Sequence, residues 1–544
     1  MFNRRISFSF SIFITVALLA ASFMTAVAAP KTTASVQILA LNDFHGALDG
    51  GNTRGGVEYM STIVAQKRAE NPSTVFISAG DLIGASPLLS ALFHDEPTIL
   101  AFNLMGLDYN VTGNHEFDEG VAELQRMQEG GCHPVDGCLA GEFAGASFKF
   151  LAANVIRLQN GKTLFSEYKV KSFADAKIGF IGIAYQDTPT IVSAAGTEGV
   201  EFLNEVDVIN AMAAQLKDQG IKTIVVIIHD GGSVSTGTTT PNACTNISGS
   251  IVDVVNNSDP EIDLFITGHT HGVYNCVIND RMVTSAYTGG EYLTDIDLVL
   301  ERKTGNILSK TVTNIPVSHD VVKDPAMTSL LSTYRTLAAP LANQVIGSIT
   351  SDIVRLNDRS LESALGDVIA DAQLAETAPA EKGGAVIAFM NPGGIRNNLL
   401  YSQISGSELP GEVTYGEAFA VQPFGNDLVT MTMTGAQIKA VLEQQATTNL
   451  TLQISNGLTY TFTKSAPADN HVTNLLLNGS PIDPLASYRV TLNSFLSTGG
   501  DGFTIFNQGT DRLVGTVDIN ALVDYLSANS PVSPGPMNRI TIIP

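Results

Sequence analysis

The stretch SVQILALNDFHG, residues 35–46, sets the reading of the chain. Its first eight residues form an apolar run of strand length, and the run stops on Asp43, Phe44 and His45. An acid and an imidazole inside a core would each need a polar partner. At the carboxyl end of a strand in an open α/β sheet they have another use, because loops converge there on a rigid frame. The arrangement recurs four times: STVFISAG (73–80) precedes Asp81, YNVTG (109–113) precedes Asn114 and His115, IKTIVVII (221–228) precedes His229, and EIDLFITG (261–268) precedes His269 and His271. KFLAANV (149–155) and KIGFIGIA (177–184) read as further strands, and GVEYMSTIVAQKRAEN (56–71) and NEVDVINAMAAQLKDQG (204–220) as amphipathic helices. Residues from about 35 to 320 are therefore expected to be α/β, with strands covered on both faces.

The chain has 544 residues, too many for one core, and no repeat of solenoid length. DPAMTSLLSTYRTLAAPLANQV (324–345) has helical spacing and is expected to link two domains, 29–323 and 346–544. The second reads as α/β too. It has a helix at 359–377, strands in GAVIAFMN (384–391) and SYRVTLNSFL (487–496), and capping boxes at Thr414 with Glu417 and Thr434 with Gln437.

Residues 1–28 read as a secretory signal: Arg4 and Arg5, a long uncharged apolar stretch, then Ala26-Val27-Ala28. Cleavage there would take the net charge from −23 to −25, and the mature protein is expected to be periplasmic or secreted with no membrane anchor. So acidic a surface argues against general nucleic-acid binding. The four cysteines suit an oxidising compartment; Cys132 and Cys138 bracket a turn-rich loop and Cys244 and Cys276 remain, but three pairings are open. The oligomeric state is open as well.

Five of the nine histidines fall at strand ends, beside Asp43, Asp81 and Asn114. His94, His133, His319 and His471 lack that context and are set aside. Imidazole nitrogen with carboxylate oxygen favours Zn, Mn, Co or Fe over Ca or Mg alone, and an Asp can bridge two ions. Asn114 offers an oxygen without charge, which leaves a dimetal site more positive toward a phosphate dianion. Asp118, three residues after His115, can fix its tautomer and raise its basicity.

LNDFHG, SAGDLIGASP, GNHEFD, AANV, HDGG and GHTHG resemble the calcineurin-like metallophosphoesterases. With RSLESALGDVIADA, NPGGIRNN, VTYGEAFAVQPFGNDLV and NSFLSTGGDGF, the likeness narrows to the secreted 5′-nucleotidase family, which includes bacterial UDP-sugar hydrolases, and it runs through nearly the whole mature chain. It implies a metallophosphoesterase α/β sandwich joined by a linker helix to an α/β substrate-binding domain that rotates against it. It implies two divalent ions, with zinc, manganese and cobalt the foremost candidates. One ion would sit on Asp43, His45 and His271 and the other on Asn114, His229 and His269, with Asp81 between them and His115–Asp118 as catalytic dyad. It implies a base between Phe424 and Phe495, phosphate or other substrate oxygens on Arg359 and Arg396, and ribose on Asn391 and Asp501. The expected activity is release of phosphate from nucleoside 5′-monophosphates, with UDP-sugars or dinucleotides as further substrates. The alternative is a 2′,3′-cyclic-nucleotide 2′-phosphodiesterase/3′-nucleotidase.

Overall fold

The computed structural model describes residues 32–51, 53–235 and 240–544; the leader read over residues 1–28 lies outside them. The opening apolar run forms the strand Thr33–Leu41. Its side chains alternate between two cores: Val36, Ile38 and Ala40 enter one, Leu39 and Leu41 another. This is the two-residue period of a strand, and both faces are apolar because both are covered.

That strand lies inside a six-stranded sheet. Thr74–Ser78, Tyr109–Val111 and Lys149–Leu151 follow it in parallel; on its other side Tyr292–Glu301 runs antiparallel to it, and Ile307–Pro316 antiparallel to Tyr292–Glu301. A second six-stranded sheet has Ala176–Ile183, Thr223–Ile228, Leu264–Thr267 and Arg281–Ala286 in parallel, edged by antiparallel Tyr168–Phe173 and Val273–Ile278. The sheets pack face to face. Val36, Ile38, Val75 and Ile77 of one meet Ile178, Phe180, Val225 and Ile227 of the other in a single buried cluster. Helices Val57–Glu70 and Glu96–Met105 cover the outer face of the first sheet, and Glu205–Asp218 and Ser250–Asn257 that of the second.

The strands are covered on both faces, as expected: each sheet carries helices on one face, and its other face is buried by the partner sheet. One strand needs correction. KFLAANV is not one strand but two, Lys149–Leu151 and Val155–Arg157. The break falls at Asn154, whose amide is buried and bonds both Ala184 N–H and Ala184 C=O, each at 2.8 Å.

Helix Pro325–Ala342 leads out of the sandwich. Asp324 caps it by accepting from Ala326 N–H, and Met327 and Leu331 join the sandwich's helical core. Tyr334 meets Phe93 edge-on, ring centroids 4.8 Å apart. Beyond it lie a five-stranded sheet (Gln453–Ile454, Ile387–Met390, Ser487–Asn493, Asp427–Thr434, Thr510–Val517) and a four-stranded one (Ser480–Pro481, Val472–Leu477, Leu458–Thr463, Ile540–Ile543). Both capping boxes form, at Thr414/Glu417 and Thr434/Gln437. The helix expected at 359–377 starts only at Ala364, where Ser363 accepts from Gly366 N–H; Arg359 and Ser360 instead form a turn, and Arg359 lines the cleft. Disulfides join Cys132 to Cys138 and Cys244 to Cys276.

Candidate active site

Three strands of the first sheet and two of the second end at one edge of the sandwich, and the chain turns sharply past most of them. Asp43, His45, Asp81, His269 and His271 all have φ between 49° and 68°. Left-handed backbone costs a residue with a side chain about 1 kcal/mol or more, and such strain gathers where side chains must be aimed.

The turns bring all seven candidate ligands together. Donor atoms of Asp43, His45 and His271 lie within 4.8 Å of one another, as do those of Asp81, His229 and His269. Asp81 stands between the groups: its Oδ2 is 3.0 Å from His229 Nε2 and 3.8 Å from His45 Nε2. Asn114 Oδ1 is 2.9 Å from His269 Nδ1 and 3.2 Å from His229 Nε2.

The donor set fits divalent metal. His229 Nδ1 donates to Ala79 C=O at 2.8 Å and His45 Nδ1 to Gly84 C=O at 3.0 Å. A carbonyl only accepts, so each ring keeps its proton on Nδ1 and turns the Nε2 lone pair into the cluster. His45 Nε2 and His271 Nε2 face each other at 3.1 Å, and Asp43 Oδ1 is 3.4 Å from the latter. Lone pairs and carboxylate oxygens so arranged repel unless a cation lies among them. Protons alone serve unevenly: burial drives His45 down to about 3 and His269 to about 4, while at His229 burial is outweighed by Asp81, leaving it at about 10.

Three supporting residues escaped the sequence reading. The buried Glu116 carboxylate accepts from Asp81 N–H and Leu82 N–H at 2.9 Å each, Gly113 N–H at 2.6 Å and the Asn110 amide at 2.9 Å. It ties the turn carrying Asp81 to the turn carrying Asn114; burial, then Asp81, pushes its pKa up to about 7. Asn42 donates to Asp43 Oδ2 at 2.6 Å and accepts from Ala286 N–H at 2.7 Å. The Tyr185 ring stacks on His269, centroids 4.4 Å apart. Glu116 and Asn42 do sit inside the quoted motifs, but nothing in their spacing says that they serve backbone amides.

His115 Nδ1 bonds Asp118 Oδ2 at 2.8 Å, and the backbone N–H of His115 donates to Asp81 Oδ1 at 2.9 Å. Burial lowers the ring's pKa, yet Asp118 and Asp81 outweigh it and hold the value raised. A cavity of about 770 Å³ opens in front of this ring. Its walls come from both domains: Asp81, Asn114, His115, Asp118, His269 and His271 on one side, Arg359, Asn391, Arg396, Phe424, Phe495 and Asp501 on the other. Asp43, His45 and His229 lie buried behind the first wall. Phe424 lies nearly parallel to His115 at 5.8 Å, with the Arg396 guanidinium 5.5 Å from its ring centre. Phe495 packs on Gly500, where a Cβ would come within 2.5 Å of the ring. Asn391 donates to Asp501 Oδ2 at 2.8 Å and accepts from Asn493 at 2.9 Å. Burial, then the charges of Arg359 and Arg355, lowers the Arg396 pKa; Arg355 was another residue the sequence reading passed over.

Residues 36–273 match the family model for calcineurin-like phosphoesterases, and residues 345–508 match that for the 5′-nucleotidase C-terminal domain. Over 94% of its length the chain is 32% identical to a cell wall protein of Listeria monocytogenes and 29% identical to an endonuclease of Bacillus subtilis; it spans 69% of the first protein and 41% of the second. Its fold matches the crystal structure of a 5′-nucleotidase precursor from Thermus thermophilus at a TM-score of 0.75 and 26% identity, covering 94% of this chain and 99% of that one. A sandwich with an Asp/His/Asn cluster at one edge, facing a second α/β domain across a cleft, is the build of a metal-dependent phosphoester hydrolase. The chain belongs to the 5′-nucleotidase family of calcineurin-like phosphoesterases, and it is an enzyme of that hydrolase class. Among the described residues no helix is long and apolar enough to cross a membrane.

Proposed function

We propose that this chain hydrolyses nucleoside 5′-monophosphates to nucleoside and inorganic phosphate, outside the cytoplasm. One observation carries the reading: a single cavity is lined by the Asp/His/Asn cluster on one wall and by three arginines (Arg359, Arg396 and Arg512) and two phenylalanines on the other. That pairs a phosphate-handling wall with one suited to a flat, oxygen-rich nucleoside. The leader pattern and the two disulfides support export.

Asp43, His45 and His271 would hold one divalent ion and Asn114, His229 and His269 the other, with Asp81 reaching both. Such a pair supplies positive charge to the phosphoryl oxygens and acidifies the attacking water. Glu116 and Asn42 keep the ligand turns in place through the backbone. Arg359 and Arg396 bind and orient substrate oxygens, and Phe424 and Phe495 offer flat faces to the base. Asp118 holds His115 at Nδ1, so Nε2–H of the imidazolium is free to stabilise the phosphoryl charge and to protonate the departing 5′ oxygen. Water adds to phosphorus and gives up a proton to solvent, the P–O5′ bond breaks, the His115 proton leaves with the 5′ alcohol, and solvent returns a proton to His115.

The deciding measurement is phosphate release from AMP, 3′-AMP, 2′,3′-cyclic AMP and a UDP-sugar, compared as kcat/KM. AMP is expected to lead. A preference for the cyclic or 3′ substrate would instead make the chain a cyclic-nucleotide phosphodiesterase/3′-nucleotidase. Polynucleotide cleavage, suggested by the likeness to an endonuclease, is opposed by a net charge of −23.

A further inference from the structure

Two of the histidines without strand-end context meet in the fold. His94 lies in the turn between helices Leu88–Ala91 and Glu96–Met105, and its φ is 50°. His133 lies in the loop closed by Cys132–Cys138, where His133 and Gly137 exchange backbone hydrogen bonds at 3.1 and 2.9 Å. The rings stack, centroids 3.7 Å apart with 16° between their planes. Two carboxylates flank them. Glu119 Oε2 is 2.7 Å from His94 Nδ1, and Asp136 Oδ2 is 2.9 Å from His94 Nε2 and 3.4 Å from His133 Nδ1. Donor atoms of His94, Glu119 and His133 all lie within 4.8 Å of one another.

We propose that His94, Glu119, His133 and Asp136 form a further divalent-cation site, separate from the catalytic cleft and suited to zinc or copper. Two imidazoles and two carboxylates are the donor set of such ions rather than of calcium or magnesium. The side chains of His94 and His133 are only 16% and 15% exposed, whereas Glu119 and Asp136 are 45% and 49% exposed, so the nitrogens are sheltered and the oxygens leave a path in from solvent. The disulfide and the paired backbone hold His133 and Asp136 in one small ring, which reduces the ordering that ligation requires. Asp136 N–H donates to His133 Nδ1 at 3.1 Å and the rings lie nearly parallel, so binding through both rings requires one ring to turn about χ2, a soft torsion for histidine, or that bond to give way. The proton on His94 is the competitor. Burial works against it, yet Glu119 and Asp136 hold its pKa up at about 9; the cation displaces this proton to solvent as it binds. Occupancy would clamp the 132–138 loop to Glu119, the residue after Asp118.

The test is metal content of the full chain after zinc loading and desalting, wild type against the double variant His94→Ala/His133→Ala. The variant is expected to hold about one ion fewer per chain and to keep its phosphatase turnover. Equal contents, or a loss that takes turnover with it, would overturn the proposal and leave His94 as an imidazolium in an ordinary ion-pair network. Should the variant fail to fold, amide hydrogen exchange of residues 132–138 in the wild-type chain decides. Added Zn²⁺ slows it if the site exists, and unchanged exchange rejects it.

Discussion

Gly113 shows how little slack the ligand turns have. A Cβ there would lie 2.1 Å from Asp81 Oδ1 and 2.8 Å from His229 Cε1, so Gly113→Ala must displace the carboxylate that stands between the two ligand groups. A displacement near 1 Å costs about 10²-fold in turnover, and metal content should fall with it. Metal analysis beside kcat/KM checks both, and full retention of either would show that the turn can yield. His115→Ala is the complementary case. It removes a proton donor and no proposed ligand, so turnover should drop by about 10²–10⁴-fold while bound metal stays at the wild-type level. Glu116→Gln presents an amide where three backbone N–H groups converge, and one oxygen cannot accept from all of them. We expect a loss of about 2–3 kcal/mol in stability, read by denaturant unfolding.

At the scale of elements, the two capping boxes are the most transparent features, although the helix expected from 359 starts only at Ala364. Thr434 with Gln437 predicts a capping box, and both reciprocal bonds are present. Thr434→Ala should therefore cost about 1 kcal/mol without touching catalysis. Helix Asp518–Asn529 starts differently. Asp518 is 2% exposed, and one of its carboxylate oxygens has no partner among the described residues. Burial pushes its pKa from 3.8 up to about 7 despite hydrogen bonds from Ile519 N–H and the Asn426 amide. The folded chain thus holds this proton more tightly than the unfolded chain does. The stability it contributes is complete below about pH 4 and lost as pH rises through 7. Melting curves of wild type and Asp518→Asn between pH 5 and 8 should diverge, the variant sloping less with pH; parallel slopes would rule this out. An interruption within an apolar run was harder to read than its end. KFLAANV looks continuous because nothing local announces that Asn154 will bond Ala184, thirty residues away.

On the scale of the whole molecule, both domains wall the cavity that the proposed ions would face. Ions that bind only the folded chain stabilise it by mass action, about 4 kcal/mol at a thousandfold excess over Kd. Chelation should abolish turnover and lower the melting temperature by several degrees, with both restored on adding Mn²⁺, Co²⁺ or Zn²⁺. Activity that persists in the chelated chain would remove metal from the mechanism.

The sequence by itself determined the strands that carry the candidate ligands, the polar residues that end them, the capping boxes and the residues worth testing as ligands. These are local properties: an apolar run and the residue that stops it are neighbours. Tertiary structure alone decided that three of the strand ends belong to one sheet and two to another. It also decided that Glu116 turns inward to serve backbone amides, that Arg355 adds its charge beside Arg396, and that His94 meets His133. Those contacts join residues as much as 228 positions apart, as Asp43 and His271 are, and only the packing of two sheets and two domains brings such residues within bonding distance.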